Sequence, residues 1–290
     1  MSSQNRTGSR RTTITTISAL AIAGALVLTG CSPEVERGWL PTERGTTSNT
    51  DRIMDLWVNS WIAALVVGTI TWGLIIWCIV AYRRRKGTVG FPRQTSFNLP
   101  LEVFYLTIPI FMVLVFFYFT DRDQQAIDDR SQPADVVVDV RGKQWAWDFN
   151  YKAGEVIQED VYEAGEQAHL TGNTIDKEKL PTLYLPVNKS VDLELNARDV
   201  IHSFWVPAFL QKRDMIPGKT NYIRFTPTKE GTYDGKCAEL CGEYHSEMLF
   251  RVKVVSETEF QAHMDELRSA GNTGLLGEEY DRNPNLNEIK

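Results

Sequence analysis

The fold turns on residues 56–82, LWVNSWIAALVVGTITWGLIIWCIVAY, a run of 27 residues with no charged side chain. At 1.5 Å rise per residue a helix of that length measures about 40 Å, more than a hydrocarbon core of ~30 Å, so it can cross a bilayer with tilt. Trp57, Trp61, Trp72 and Trp77 include residues suited to an interfacial belt. A second uncharged run, 103–120, is preceded by further apolar positions from Phe97, and Pro109 inside it is tolerated where a neighbouring helix supports the freed carbonyl. Two transmembrane helices are therefore expected, at about 56–82 and 99–120, within a membrane unit 53–121. The competing reading is a pair of helices buried in a soluble core. Cys78 reads as helix packing.

Working outward, the connecting loop carries Arg83, Arg84, Arg85, Lys86 and Arg93. The positive-inside bias makes that loop cytoplasmic. The segment 31–52 and everything after Asp121 then lie outside. The first 30 residues have a basic leader (Arg6, Arg10, Arg11), an apolar stretch from Ile14 to Leu28, and the ending Leu28-Thr29-Gly30-Cys31. That order fits a secretory signal. A cysteine at this point looks like a lipobox, which makes Cys31 the lipidated new N-terminus and independently requires it to be external. The alternative is an uncleaved first helix with an incidental cysteine.

After Asp121 the composition turns polar and strand-forming. Residues 135–151 are rich in valine and aromatics. Val191, Leu193 and Leu195 alternate with Asp192 and Glu194, the period of a half-buried strand. Residues 222–225 and 249–255 supply further strands, separated by Pro217-Gly218 and Lys229-Glu230-Gly231. This pattern predicts an antiparallel sandwich or barrel over 122–255. Residues 256–270 read as an amphipathic helix with Phe260, His263, Met264 and Leu267 on its less polar side, and the tail from Gly271 as polar and mobile. Residues 152–182 interrupt the pattern with seven acids against three lysines and no hydrophobic period. Such an insertion is a lid or docking element, or a solvated loop. The net charge of −6, with one short arginine cluster, argues against a nucleic-acid partner.

Four cysteines are too few for a disulfide framework. Two of them fall in Cys237-Ala-Glu239-Leu-Cys241-Gly-Glu-Tyr-His245-Ser-Glu-Met248, and His202 lies 35 residues upstream of Cys237. Thiolate with imidazole and thioether is the set that copper takes in electron-transfer sites. One copper needs a single thiolate. Two thiolates four apart can bridge two coppers, with one histidine for each and with Met248 and the Glu239 carbonyl as weak outer ligands. A disulfide, structural zinc and a thiol redox pair compete with this. The first leaves the histidine and methionine unexplained, and the other two do not match the usual spacings. His169 and His263 read as solvent-facing or packing residues.

Taken together these segments resemble the cytochrome c oxidase subunit II family over roughly residues 50–151 and 183–265. The metal motif follows that family's Cys-x-Glu-x-Cys-x-x-x-His-x-x-Met. Asp199-Val-Ile-His202-Ser-Phe-Trp-Val-Pro207, Asp214-Met-Ile-Pro217-Gly218, Gly231-Thr-Tyr-Asp-Gly235 and Gln144-Trp145-Ala-Trp147 also resemble the family pattern, and 98–109 its second helix. The resemblance implies a two-helix transmembrane hairpin plus an all-β, cupredoxin-like (Greek-key) external domain. It implies a dinuclear copper centre, CuA, bridged by Cys237 and Cys241. His202 and His245 would be terminal ligands, with Glu239 (through its carbonyl) and Met248 completing the set. The Glu239 side chain would also hold a magnesium ion shared with subunit I.

Trp145 would receive the electron, or else is a packed aromatic, while Trp147 belongs to the core. Glu102 would stand near the mouth of a proton channel, or else is a snorkelling interfacial acid. Asp199 would join an acidic docking surface or cap a turn. The implied activity is that of an aa3-type or related cytochrome-c oxidase: electrons from cytochrome c pass to haem in subunit I, where oxygen becomes water and protons are pumped. Implied partners are subunit I, other oxidase subunits, membrane lipids and cytochrome c. Because the 152–182 insertion departs from the shorter family pattern, a membrane-bound cytochrome of a bc-type reductase supercomplex is a second candidate donor. No Cys-x-x-Cys-His occurs in the sequence, so an attached haem c domain is not expected. A quinol oxidase subunit II would lack these copper ligands. A membrane-tethered copper chaperone would lack the His-x-x-Met continuation.

Overall fold

The computed structural model describes residues 32–281 apart from 88, 92–93, 95, 169 and 172–173. The signal segment with Cys31, the loop residue Arg93 and His169 lie outside the described residues.

Two long helices, α1 (Thr50–Ala81) and α2 (Leu99–Ile127), are each long and apolar enough to cross a membrane. Their most apolar windows are not buried by the rest of the chain. That excludes the reading in which they form a soluble core. α1 begins before Leu56 because its first turns carry charges outside the apolar run, with Asp55 paired to Arg44 at 2.6 Å. Its start is tied to the external domain: the Asn49 side-chain amide donates to the Arg224 carbonyl at 2.8 Å and to the Gln211 amide oxygen at 3.2 Å. α2 is capped by Asn98, whose side chain accepts from the Leu101 N–H at 3.2 Å, with Pro100 in the first turn. It runs past Thr120 to Ile127 because its polar last turns also reach the domain, where Asp128 meets Arg213 at 2.6 Å. Buried Asp123 binds Arg52 of α1 and Arg122 of α2, locking the outer ends of the hairpin together.

The external domain is a sandwich of two five-stranded sheets. Its strands are β1 (Val136–Lys143), β2 (Ala146–Lys152), β3 (Val161–Glu163), β4 (Leu170–Thr171), β5 (Thr174–Ile175), β6 (Thr182–Pro186), β7 (Val191–Ala197), β8 (His202–Val206), β9 (Gln211–Met215), β10 (Asn221–Phe225), β11 (Gly231–Cys237) and β12 (Leu249–Val255). One sheet has the order β10-β7-β1-β2-β3 and the other β6-β12-β11-β8-β9, with β4 and β5 as a separate small hairpin. Alternation sets the core. Val136, Val138 and Val140 of β1, Trp147, Phe149 and Tyr151 of β2, and Val191, Leu193 and Leu195 of β7 meet Phe204, Phe250 and Val252 of the second sheet. Pairing is not wholly antiparallel: β1–β7 and β6–β12 run parallel. The members of each pair are far apart in sequence, so no tight turn dictates their direction, and local turn signals do not report it.

The final helix, α3 (Glu257–Ser269), buries Phe260, Met264 and Leu267. His263 stacks on Tyr184 at 3.7 Å between ring centroids, a packing role. Two further expectations change. The insertion is only partly a loop: β3 pairs with β2, and Val156, Ile157 and Val161 enter the core. The tail from 271 to 281 is not free. Asn150 exchanges two hydrogen bonds with the Leu276 backbone, and Asp281 pairs with Arg141 and Arg198. Arg141 and Arg198 each hold a sheet carboxylate, Asp139 and Asp148, and Asp281 of the polar tail takes a further nitrogen of both.

Candidate metal centre

At one end of the sandwich the β11–β12 connection folds into a compact loop. The Cys237 N–H donates to the Met248 carbonyl at 3.0 Å, closing the loop base, and the Ala238 N–H donates to the Ser203 carbonyl at 3.0 Å, fastening it beside β8. A single 3₁₀ turn, His245–Glu247, brings the chain back. Gly242 sits at φ +120°, a conformation that favours glycine, and a Cβ there would press at 3.1 Å on both the Gln144 amide nitrogen and the Trp145 ring.

This geometry gathers the predicted ligands. The two thiol sulfurs lie 3.9 Å apart as free cysteines, which removes the disulfide reading. His202 Nδ1 faces Cys237 at 3.9 Å, and His245 Nδ1 faces Cys241 at 3.5 Å. Met248 Sδ is 3.7 Å from the Cys241 sulfur, and the Glu239 carbonyl is 3.2 Å from the Cys237 sulfur. His202, Cys237 and Cys241 offer donor atoms all within 4.8 Å of one another, a set that His245 does not join. Each imidazole therefore addresses a different thiol, and each thiol has its own weak donor. A single tetrahedral zinc would draw all four strong donors to one point. The donor set and its two-ended layout fit a sulfur-bridged copper pair.

Electrostatics prepare the ligands. Burial pushes the Cys237 thiol up, but hydrogen bonding with His202 and with the backbone of Glu239 and Ser203, plus the imidazole charge, brings it down to about 7. Burial and the neighbouring Cys237 sulfur push Cys241 in the opposite direction. Burial disfavours the charged form of His202, yet Asp199 and Cys237 outweigh it and raise the imidazole. Asp199 is lowered despite burial because it accepts from His202 and from the backbone N–H groups of Gln144 and Val200. The 2.8 Å contact between Asp199 Oδ1 and His202 Nε2 fixes the tautomer and leaves Nδ1 to face the thiols. Asp199 lies three residues before His202 in sequence; docking surface and turn cap were the only roles read for it from the sequence.

Trp145 is half-buried at the rim. Its ring N–H donates to the Cys241 carbonyl at 3.2 Å, and its ring packs edge-on against Tyr244 at 4.9 Å. Gln144 donates to the same carbonyl at 2.8 Å, a contact the sequence did not single out. Trp147 is fully buried, as expected of a core residue. The Glu239 side chain is exposed beside Leu240, which is 77 % exposed. Glu102 stands apart at the far end of α2, where its carboxylate accepts from the Asn98 N–H at 3.2 Å.

Residues 136–255 match the family described as cytochrome C oxidase subunit II, periplasmic domain. Over 285 residues the chain is 42 % identical to the probable cytochrome c oxidase subunit 2 of Streptomyces avermitilis, covering 88 % of each. The chain belongs to the cytochrome c oxidase subunit II family. Cytochrome c oxidase subunit 2 of Mycobacterium tuberculosis is 33 % identical over 293 residues, covering 85 % of this chain and 80 % of that one. Among solved structures, the periplasmic domain of subunit II (CoxB) of Bradyrhizobium japonicum is 29 % identical, covers 48 % of this chain and 97 % of that one, and superposes with a TM-score of 0.41. As a family member the chain is a membrane-anchored subunit with an external β-sandwich domain; the family implies copper, and His202, Cys237 and Cys241 lie close enough together to hold a metal ion.

Proposed function

We propose that this chain is the electron-accepting subunit of a cytochrome c oxidase and that His202, Cys237, the Glu239 carbonyl, Cys241, His245 and Met248 hold a dinuclear copper centre, CuA. The observation that carries the reading is the pairing of each imidazole with a different thiol, 3.9 Å and 3.5 Å away. Bound there, the copper pair supplies a one-electron relay between a cytochrome c haem and the haem of subunit I. The protein's part is rigidity. Asp199 pins His202, Gly142 leaves no slack beneath its ring (a Cβ there would lie 3.1 Å away), and the Ser203 and Met248 carbonyls clamp the loop base. Ligands held still keep the rearrangement on electron transfer small.

Trp145 is the residue where electrons enter, since its hydrogen bond to the Cys241 carbonyl links the rim to a ligand residue. The exposed Glu239 carboxylate holds magnesium together with subunit I, at the tip marked by exposed Leu240. Glu102 serves the cytoplasmic end of the proton path, and its hydrogen bond to Asn98 N–H fixes the carboxylate at the helix start. Cys31 carries the lipid anchor. The insertion docks a membrane-bound cytochrome: Glu178 binds Arg251 at 3.1 Å and Lys177 binds Asp234 at 2.9 Å, placing this arm along β11 and β12, the strands that flank the metal loop.

Metal analysis of the purified full chain, matured with copper, tests the central claim. Two coppers per chain with a mixed-valence spin spectrum are expected; a single zinc, or no metal, would overturn it. For the insertion, replacing 166–178 with a short Gly/Ser linker preserves β3 and its core residues. Loss of turnover with a membrane-bound donor, and not with a soluble one, is the expected result.

A further inference from the structure

The face of the first sheet that points away from the core is not a solvent face near its copper end. Asp139, Arg141, Asp148, Asn150 and Arg198 are all buried there. What covers them is the tail between Gly271 and Asp281. Arg198 is the hub. Its Nε donates to Asp148 at 2.9 Å, one Nη to the Gly277 carbonyl at 2.8 Å and to Asp281 at 3.0 Å, and the other to the Leu276 carbonyl at 2.9 Å. Asp281 also meets Arg141. A guanidinium this buried is tolerated because each arm finds an oxygen, and three of those four oxygens belong to the tail.

Arg198 also touches what holds the metal ligand. Its backbone N–H donates to the Gly142 carbonyl at 2.9 Å, and Gly142 lies against the His202 ring with no comfortable room for a Cβ. The next residue, Asp199, accepts from His202 Nε2 and from the Gln144 N–H, both at 2.8 Å. The carboxylate that orients the imidazole and the end of β1 that backs its ring are both fastened through one arginine.

We propose that the tail segment Leu276–Asp281 is a positioning element of the metal centre: by clamping Arg198 it holds Asp199 and the Gly142 end of β1, and through them the His202 imidazole. This role presupposes the copper centre proposed above. The tail begins beyond α3, some 30 residues after the last ligand, so a segment that reads as a loose polar end becomes part of the scaffold of the site.

The test uses the full chain in detergent, loaded with copper. D281N removes the charge while keeping the shape. D281E displaces the charge by one methylene and serves as a milder variant if D281N does not accumulate. L267A removes core packing from α3 without touching Arg198. Loss of an outer partner of a ligand lowers metal affinity roughly 10–100-fold. Acting one step further out, D281N is expected to release copper to a chelator about tenfold faster, with altered copper hyperfine splitting. D281E should fall between D281N and wild type. L267A should lower the thermal midpoint while its release rate and spectrum stay wild-type. Wild-type release and spectrum in D281N, or equal changes in L267A, would overturn the positioning role while leaving the copper reading intact. Absence of a copper pair from the wild-type chain would overturn both.

Discussion

The helix hairpin and the metal end of the sandwich are built on opposite rules. Along α1 and α2 nearly every apolar side chain between the ends faces outward, and the joint inside this chain is the Asp123 cluster at the outer end. At the metal end His202, Ser203 and Met248 are fully buried, and individual hydrogen bonds decide where each donor atom points. The hairpin needs an average property, hydrophobicity over a length. The metal end needs particular atoms at particular places. Tolerance to substitution should therefore differ sharply between them.

The largest effect is expected at a thiol of the proposed copper pair. Cys241→Ser should abolish the copper pair, read by metal content and spin spectrum, while membrane insertion is unchanged; a retained mixed-valence signal would break the contrast at its strongest point. Next comes Asp199→Asn, which keeps the shape but weakens the grip on His202. Copper affinity should fall roughly 10–100-fold, measured by chelator competition. A third probe sits on the sandwich away from the metal. Asp135 is held below the ordinary carboxylate range by the Ser190 hydroxyl and backbone N–H, which donate at 2.7 and 2.6 Å. A lowered folded-state value stabilises the fold above the ordinary carboxylate pKa and loses that contribution as pH falls through the lowered value. Asp135→Asn should cost about 1 kcal/mol at neutral pH, with the gap to wild type closing in acid and copper spectra unmoved. The smallest effect is expected at Leu74, 55 % exposed on α1. Leu74→Ala should change stability by less than about 0.5 kcal/mol; a large loss there would show that the hairpin too depends on specific packing.

Legibility followed the same division. Both spans, the alternation in β7 and the ligand spacing could be read from sequence because each is a local pattern: a run, a period of two, a short motif. The outer ends of the helices could not, since Thr50 and Ile127 are fixed by contacts with the domain and not by hydrophobicity, whereas the inner ends at Ala81 and Leu99 fall where the apolar runs stop. Asp199 was visible as a residue but not as the partner of His202. Val156, Ile157 and Val161 were hidden among acids that mask their inward direction.

By itself, then, the sequence determined which segments are apolar enough for a bilayer, which strands alternate, and which soft donors stand close enough in the chain to share metal. Only the tertiary structure decided that β1 lies parallel to β7, that the tail between Gly271 and Asp281 covers Arg198, and that each histidine faces its own thiol. The physical reason is range. Hydrophobicity and backbone periodicity are properties of neighbouring residues, whereas a buried charge or a metal donor is satisfied by whichever distant segment the packed fold brings within about 3–4 Å.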